Sequence, residues 1–251
     1  MRVTVLGCGT SGGVPRIGNV WGACDPSEPR NRRRRSSILV QSAATTLIVD
    51  TTPDMRDQCL SIDLQRLDAA IYTHGHSDHV NGIDDLRGFT QLQGERVPVF
   101  ADADTLLGLQ QRFGYIFAAA ENYPAIATAH TIAGPFNVGD IDIVPFQQIH
   151  GGMETLGFRF GSFAYSTDLN DLSEASFELL RDLDVWIVDA LRPQPHPTHT
   201  HLARTLEWIE RLRPKRAILT HMTWDMDYRT LCRELPAGVE PGYDGQVIEF
   251  D

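Results

Sequence analysis

Four side chains able to bind a metal lie within six residues of this sequence. The segment IYTHGHSDHVNG contains His74, His76, Asp78 and His79. Imidazoles and carboxylates are common ligands of divalent metals, and three imidazoles beside one carboxylate are costly to bury without a cation. The segment therefore predicts a metal site. The isolated His130, in contrast, is expected to be an ordinary histidine.

The local structure predicted for this segment divides the four side chains between two metals. A strand predicted over residues 69–73 ends just before the histidines, and a helix is predicted to begin at Asp78. His74 and His76 stand on alternate residues of an extended segment, so they point the same way and can share one metal. Asp78 and His79, at the start of the helix, are placed for a second metal.

Short apolar or β-branched runs along the chain predict the strands that position this segment. They cover residues 3–6, 37–41, 46–49, 69–73, 97–100, 141–146, 156–160, 163–166, 185–188, 217–220 and 246–250. Helical stripes are predicted after residue 104, after a cap at Ser173, and over residues 202–212. Because so many strands need more than one sheet, we expect two packed sheets with helices on their outer faces.

The organisation of the chain favours one domain over residues 1–251, since no linker rich in proline, serine or charge divides it. The segments 67–71 and 183–187 are similar: each follows a helical stretch and begins a strand that leads into a polar loop containing histidine. This similarity indicates two halves of related build.

Composition limits the class of protein. The 251 residues are 42% hydrophobic and 22% charged, as in ordinary globular proteins, and carry a formal net charge of -11. The negative charge disfavours a general nucleic-acid binder. We expect no membrane span and no secretory signal, hence a cytoplasmic protein. The four cysteines are scattered, which argues against a disulfide framework or a cysteine-rich zinc site.

A basic run consisting of Arg30 and residues 32–35 precedes the second predicted strand. One interpretation is a solvated loop whose arginines pair with surface acids. The other is that Arg34 and Arg35 reach the phosphate of a substrate. The sequence leaves both open.

The first predicted strand is followed by Gly7, Gly9 and Gly12 in the spacing G-x-G-x-x-G. In a dinucleotide-binding fold the last glycine of this motif opens a helix whose N-terminus faces a pyrophosphate. Here more glycines and a proline follow, without an apolar stripe of helical spacing. A dinucleotide site is therefore not expected.

The pattern H-x-H-x-D-H resembles the signature of the metallo-β-lactamase superfamily, and the resemblance extends over essentially the whole chain. It implies an α/β (α+β) fold, a four-layered αβ/βα sandwich with a metal site at one edge. It also implies one metal held by His74, His76 and His150, a second held by Asp78, His79 and His221, and a bridging carboxylate from Asp168. Asp50, which matches the superfamily's second-strand aspartate, would lie beneath the metal loop, the segment from His74 to His79. We expect Asp189 to accept a hydrogen bond there too.

Three further segments narrow the resemblance: HPTH at residues 196–199, LTHM at residues 219–222 and GYDGQVIEF at residues 242–250. They are similar to the branch that contains the phosphodiesterase of the carbon-phosphorus lyase pathway. That branch hydrolyses cyclic ribosyl or nucleoside phosphates. The resemblance implies that His199 gives a proton to the leaving group and that His196 contacts substrate. Where that phosphodiesterase has clustered cysteines for an extra zinc, this chain has only Cys24.

The resemblance implies a phosphodiesterase for a small cyclic or nucleotide-like phosphodiester, acting through a hydroxide that bridges two divalent ions. Zinc or manganese suits the ligands, and iron is acceptable. Asp78 is assigned to catalysis as well as to metal binding. The expected partner is a small phosphate ester, with no membrane and no large nucleic acid, and a homodimer is allowed. A glyoxalase II-like thioesterase, a tRNA 3′-processing nuclease, and an accessory or binding protein that has kept its metal site stay open as alternatives.

Overall fold

The computed structural model describes residues 1–120 and 123–250 of the chain. The strands are β1 (Arg2–Gly7), β2 (Ser37–Gln41), β3 (Thr46–Val49), β4 (Ala69–Ile71), β5 (Val97–Ala101), β6 (Ala127–Thr131), β7 (Phe136–Val138), β8 (Ile141–His150), β9 (Met153–Phe160), β10 (Phe163–Ser166), β11 (Val185–Asp189), β12 (Arg216–Thr220), β13 (Val239–Pro241) and β14 (Val247–Glu249). The helices are α1 (Met55–Ser61), α2 (Ser77–Val80), α3 (Leu86–Gln93), α4 (Ala103–Arg112), α5 (Gly114–Phe117), α6 (Glu174–Leu179), α7 (Leu202–Leu212) and α8 (Tyr228–Glu234), with short 3-10 turns at Pro29–Asn31 and Ile83–Asp85. None of the helices in these ranges is long and apolar enough to cross a membrane.

The strands form two sheets of seven, in the orders β14-β1-β2-β3-β4-β5-β6 and β13-β12-β11-β10-β9-β8-β7. Each sheet combines an antiparallel part with a parallel part. In the first sheet β3 to β6 run parallel, and in the second β10 to β13 do. β4 and β11 are thus both second among four parallel strands. The similar segments 67–71 and 183–187 lead into strands at equivalent positions of the two sheets.

Side chains that point alternately to the two faces of each strand form the layers of the sandwich. In β2, Ile38 and Val40 pack into the core between the sheets, whereas Leu39 faces the other way and packs with Met55 of α1 and Phe89 of α3. This is the period of two that a strand covered on both faces requires. On the second sheet, Phe177 of α6, Trp208 of α7 and Leu231 of α8 join the core. The predicted sandwich of two sheets with helices outside them is confirmed.

Several predicted element bounds are wrong. β4 ends at residue 71 rather than 73, β8 runs to residue 150 rather than 146, and the short strands β6, β7 and β13 were not expected. The helical stripe after residue 104 breaks at Phe113, where the backbone leaves the helical region and Gly114 follows. β6 is polar at His130 and Thr131, so its sequence lacks the apolar signal that identifies a strand.

The helix predicted to begin at Asp78 is also interrupted, and the interruption matters for the metal loop. α2 ends after Val80, and the backbone N–H of Gly82 donates to the Thr51 carbonyl at 2.8 Å instead of continuing the helix. A Cβ at residue 82 would press on the Thr52 carbonyl oxygen and lie 2.9 Å from the Met55 Cβ. Only glycine allows the metal loop to approach the end of β3 this closely.

We therefore expect Gly82→Ala to destabilise the protein by about 1–3 kcal/mol, the usual cost of overpacking a buried position. Urea or thermal denaturation measures this change. Gly88→Ala is the matched control, because Gly88 lies within α3 and an added Cβ would meet nothing within 4 Å. The control should be neutral or stabilising, since alanine is the better helix former. Equal stability of the two variants would show that the contact between the metal loop and the end of β3 does not require glycine at residue 82.

Candidate metal centre

Strands and loops of both sheets bring the predicted ligands to one edge of the sandwich. Asp50 follows β3, His74 follows β4 after two residues, and His221 follows β12. His150 ends β8, and Asp168 comes two residues after β10. Carboxyl ends of parallel strands are where α/β folds place their ligands. The edge therefore collects side chains that are more than a hundred residues apart in sequence.

The seven predicted ligands fall into two groups that share one member. The ligand atoms of His74, His76, His150 and Asp168 lie within 4.8 Å of one another, and so do those of Asp78, His79, Asp168 and His221. In this arrangement the first two histidines serve one group, while the aspartate and histidine at the start of α2 serve the other. That is the division expected from the extended segment and the helix start.

Asp168 stands between the groups with one carboxylate oxygen toward each. Its Oδ1 lies 3.9 Å from the His74 Nε2 and 4.0 Å from the His150 Nε2. Its Oδ2 lies 3.1 Å from the His79 Nε2 and 3.5 Å from the His221 Nε2. A carboxylate in this position can bridge two cations.

The hydrogen bonds of the imidazoles leave their Nε2 atoms free for a metal. The Nδ1–H of His150 donates to the Thr198 carbonyl at 2.6 Å, so the Nε2 keeps its lone pair. The Thr73 hydroxyl donates to Asp50 at 2.8 Å and accepts from the Nδ1 of His74 at 3.0 Å. Ligand orientation by such outer partners is typical of metal sites.

The buried Nε2 atoms of His74, His79 and His221 have no hydrogen-bond partner among the described residues. Leaving such atoms unpaired is costly in a folded protein, and all three face the oxygens of Asp168. Nitrogen and oxygen donors without a thiolate suit zinc, manganese or iron. The residues therefore fit a divalent metal in each group.

Asp50 holds the metal loop from below. It is fully buried, accepts from the backbone N–H of Thr73 at 2.9 Å, and its Oδ2 lies 2.7 Å from the Nδ1 of His79. Asp50, Asp168 and His221 all have left-handed backbone angles, with φ of 66°, 55° and 55°. Such angles are uncommon outside glycine and are maintained where the surrounding structure requires them. The turns at the strand ends are thus shaped to aim these side chains.

Asp189 plays the corresponding part on the second sheet. Its Oδ2 accepts from the backbone N–H of Asp168 at 3.1 Å and lies 3.0 Å from the Nδ1 of His199. Because Asp189 is fully buried, this contact fixes the orientation of the His199 ring. The prediction that Asp189 accepts a hydrogen bond beside the metal ligands agrees with these contacts.

His199 lies over the centre. Its ring stacks on His221 with centroids 4.8 Å apart, and its Nε2 is 3.9 Å from the Oδ1 of Asp168. His196 lies farther out, 5.2 Å from His199 between centroids. His201 occupies the N-cap position of α7 without a side-chain capping bond, and His130 is exposed on β6 and stacks on Phe100. Neither of the last two belongs to the metal groups of the described residues.

The two arginines proposed as substrate contacts are engaged with carboxylates of the chain. Arg34 pairs with Asp244 at 3.0 Å, and Arg35 pairs with Asp54 at 2.7 Å. Their role toward substrate stays a prediction. Cys24 is buried and lies 3.8 Å from a guanidinium nitrogen of Arg33, and no cysteine belongs to the metal groups found in the described residues.

Sequence reasoning missed the supporting hydroxyls and carbonyls. Thr73 and Thr198 each precede a site histidine, and the Thr167 hydroxyl donates to the Oδ2 of Asp168 at 2.7 Å. Adjacency to a predicted site residue is the only signal of these three threonines in the sequence. Threonine is too common beside strand ends for that signal to identify them.

The electrostatics of the metal-free centre differ between the two groups. Burial lowers the pKa of His74, and so do the neighbouring imidazoles. Burial acts in the same direction on His221, but the carboxylates of Asp168 and Asp189 outweigh it and raise the pKa of His221 to about 9. The second group therefore holds a proton at neutral pH when no metal is bound.

We expect Asp168→Asn to lose metal from both groups, because the amide removes the negative charge and one oxygen that faces them. Metal content per chain, measured by plasma mass spectrometry after desalting, should fall well below that of the wild type. Asp142→Asn, an exposed change on β8, is the control. Retention of the wild-type metal content by Asp168→Asn would contradict the bridging position.

The apparent affinity for zinc should rise with pH up to about 9, since the proton on His221 competes with the metal at every pH below its pKa. Competition with a chromophoric chelator at several pH values measures the affinity, and calorimetry in buffers of different ionisation enthalpy measures the proton release. An affinity that is constant over this range would mean that His221 is already neutral in the metal-free protein.

Comparison with known proteins places this geometry in a family. The Beta-lactamase superfamily domain model matches residues 45–222. The crystal structure of a diphosphatase from the PhnP family is 39% identical, with a TM-score of 0.93, over 100% of this chain and 98% of that chain. Zn²⁺-bound PqqB from Methylobacterium extorquens is 19% identical with a TM-score of 0.81, over 100% of both chains, which shows the fold alone.

A curated protein named octanoyltransferase, from Porphyromonas gingivalis (strain ATCC BAA-308 / W83), is 31% identical over 258 residues. The match covers 100% of this chain and 52% of that protein, so the chain spans about half the length of this curated relative. The resemblance inferred from the histidine and aspartate motif is confirmed by the family match. The chain belongs to the β-lactamase superfamily and has the metallo-β-lactamase fold.

Proposed function

We propose that the protein is a metal-dependent phosphohydrolase acting on a small, nucleotide-like substrate whose phosphorus carries two ester or anhydride links. Phosphodiesters, cyclic ones included, and nucleoside diphosphates all contain such a phosphorus atom. The observation that carries the proposal is the Asp168 carboxylate, with one oxygen toward each of two ligand groups and His199 above it. The 39% identity to a diphosphatase along nearly the full length of both chains supports the same chemistry.

Two divalent ions, zinc or manganese in our proposal, would supply an activated water and neutralise charge on the phosphoryl oxygens. The chain's own part is to fix the positions of the ligands. Asp50 orients His79, Thr73 orients His74, and the Thr198 carbonyl orients His150. Such preorganisation removes the need to rearrange dipoles as charge develops.

His199 is the residue that we assign to proton transfer. A leaving alkoxide needs a proton, and an imidazole whose Nδ1 is held by a carboxylate presents its Nε2 in one orientation. Asp189 holds the Nδ1 at 3.0 Å, while the Nε2 faces the centre. This orientation directs the Nε2 toward the position that the leaving oxygen would occupy beside Asp168.

Asp78 has a different part in this proposal. Its Oδ2 lies 3.4 Å from the Nε2 of His79 and 3.9 Å from the Nε2 of His221, so it completes the second group. Burial acts to raise its pKa, but His79 and His221 outweigh burial and hold the pKa of Asp78 well below its ordinary value. The carboxylate therefore stays ionised at any working pH and remains a ligand.

A substrate panel tests the proposed reaction against its alternatives. The metal-loaded protein should hydrolyse bis(p-nitrophenyl) phosphate together with a 2′,3′-cyclic nucleotide or a nucleoside diphosphate, and a chelator should abolish this turnover. Turnover of a glutathione thioester alone would establish the thioesterase instead. Cleavage of a tRNA precursor alone would establish the nuclease, and metal binding without any turnover would establish the accessory protein.

His199→Ala should lower kcat by about 10²–10⁴-fold, the usual contribution of a general acid, while both metal groups stay loaded. Steady-state kinetics and metal analysis on the same preparation measure the two effects. His130→Ala, an exposed change on β6, is the control and should leave kcat unchanged. Loss of metal from His199→Ala would show that this histidine is a ligand rather than a proton donor.

A further inference from the structure

A cavity of about 810 Å³ lies beside the glycine-rich turn, and none of the metal ligands lines it. Its lining holds six arginines and three aspartates: Arg16, Arg30, Arg32, Arg33, Arg34, Arg35, Asp54, Asp57 and Asp244. The chain as a whole carries a formal charge of -11. The lining of this cavity is therefore positively charged in a protein that is acidic as a whole.

Each carboxylate of the cavity is already paired. Asp244 lies 3.0 Å from Arg34, Asp54 lies 2.7 Å from Arg35, and Asp57 lies 3.5 Å from Arg56 outside the cavity. These pairs neutralise two of the six arginines. The positive charge of the other four is not compensated within the cavity.

Three of these four, Arg16, Arg30 and Arg32, are exposed and make no ion pair with a carboxylate of the described chain. Aromatic rings hold them instead. The Arg16 guanidinium carbon lies 3.7 Å from the centre of the Trp224 ring, and that of Arg32 lies 5.2 Å from Trp21. Arg30 lies near two tyrosine rings, 5.0 Å from the centre of Tyr228 and 4.9 Å from that of Tyr243.

An aromatic ring attracts a nearby guanidinium without using its N–H groups. Those N–H groups stay free to donate hydrogen bonds, two of them in parallel to one partner. Phosphate oxygens match them in a bidentate arrangement. Arginines that are ordered by rings and left without a carboxylate are thus preorganised for an anion.

The fourth arginine, Arg33, is only 2% exposed and has no carboxylate partner. Its guanidinium donates to the backbone carbonyl of Met226 at 2.6 Å and to that of Thr223 at 3.3 Å, while its Nε has no hydrogen-bond partner among the described residues. The guanidinium also donates to the Asn31 Oδ1 at 3.4 Å and to the Cys24 Sγ at 3.8 Å, so its hydrogen-bond partners among the described residues are all neutral. A buried charge that only neutral groups solvate is costly and favours a nearby anion.

We propose that this cavity is an anion-binding site for a phosphate or diphosphate group, separate from the metal ligands. Arg16, Arg30 and Arg32 donate to its oxygens, and the buried charge of Arg33 adds to the attraction. The anion is either free inorganic phosphate or the outer phosphate of a substrate. Arg16 and Arg33 contact residues 223–226, which follow His221, so the site adjoins the segment that carries a metal ligand.

The test is a calorimetric titration of the metal-loaded protein with inorganic phosphate and with pyrophosphate. Arg30→Gln combined with Arg32→Gln should weaken one class of binding by about tenfold or more, the effect of losing charge-assisted hydrogen bonds. Binding that survives in this variant belongs to the metal centre. Both residues are exposed, so the fold should be retained, as circular dichroism will show.

Arg96→Gln combined with Arg181→Gln is the matched control, because it removes two exposed positive charges elsewhere on the surface. The control should bind both anions as the wild type does. Superimposable isotherms for the cavity variant and the wild type would overturn the proposal. An equal loss in the control would overturn it too, since the attraction would then be that of net charge alone.

Kinetics distinguish the two sources of the anion. If the site takes the outer phosphate of a substrate, the cavity variant should raise KM for a nucleoside diphosphate and leave kcat unchanged. KM for bis(p-nitrophenyl) phosphate, which has no second phosphate, should stay the same. If the site takes free phosphate, neither KM changes although the calorimetric loss persists. The titration needs no turnover, so it can succeed even if the proposed reaction is wrong.

Discussion

The contact on which the site depends is the Asp168 carboxylate between four imidazoles. Its two oxygens lie within 3.1–4.0 Å of nitrogens from His74, His79, His150 and His221. Those histidines come from both sheets, so the contact can form only when the two halves of the sandwich are correctly packed. Metal binding at these ligands would therefore also stabilise the packing of one sheet on the other.

The two sheets support the imidazoles of the site in the same way. In each sheet a buried aspartate next to a parallel strand supports an imidazole: Asp50 lies 2.7 Å from His79, and Asp189 lies 3.0 Å from His199. The supported rings differ in use. His79 belongs to a metal group that also contains Asp168, whereas we assign His199 to proton transfer. Related halves have thus placed the same pair of side chains in two different roles.

Much of this could be predicted from the sequence, because the ligand types are rare and their spacing is tight. The run from His74 to His79 and the apolar strands before His150 and His221 are local signals. The cavity could not be predicted, since its order comes from distant partners. Arg30 rests on Tyr228 and Tyr243, and Arg16 rests on Trp224, about two hundred residues away. The polar strand β6 and the broken helix at Phe113 lack a signal of their own, because tertiary packing decides them.

The glycine motif after β1 has a structural explanation in place of a cofactor. The chain after the motif is irregular and makes isolated β-bridges instead of a helix. A Cβ at residue 7 would collide with the Arg35 carbonyl. At Gly9 an added Cβ would lie 2.9 Å from the Cβ of Arg33. Gly9 pairs with both Arg35 and Met222. The glycines let the end of β1 and the residues after it pass between the arginine run and the segment after His221. The same close approach that excludes a side chain thus brings the arginine run against the segment that follows a metal ligand.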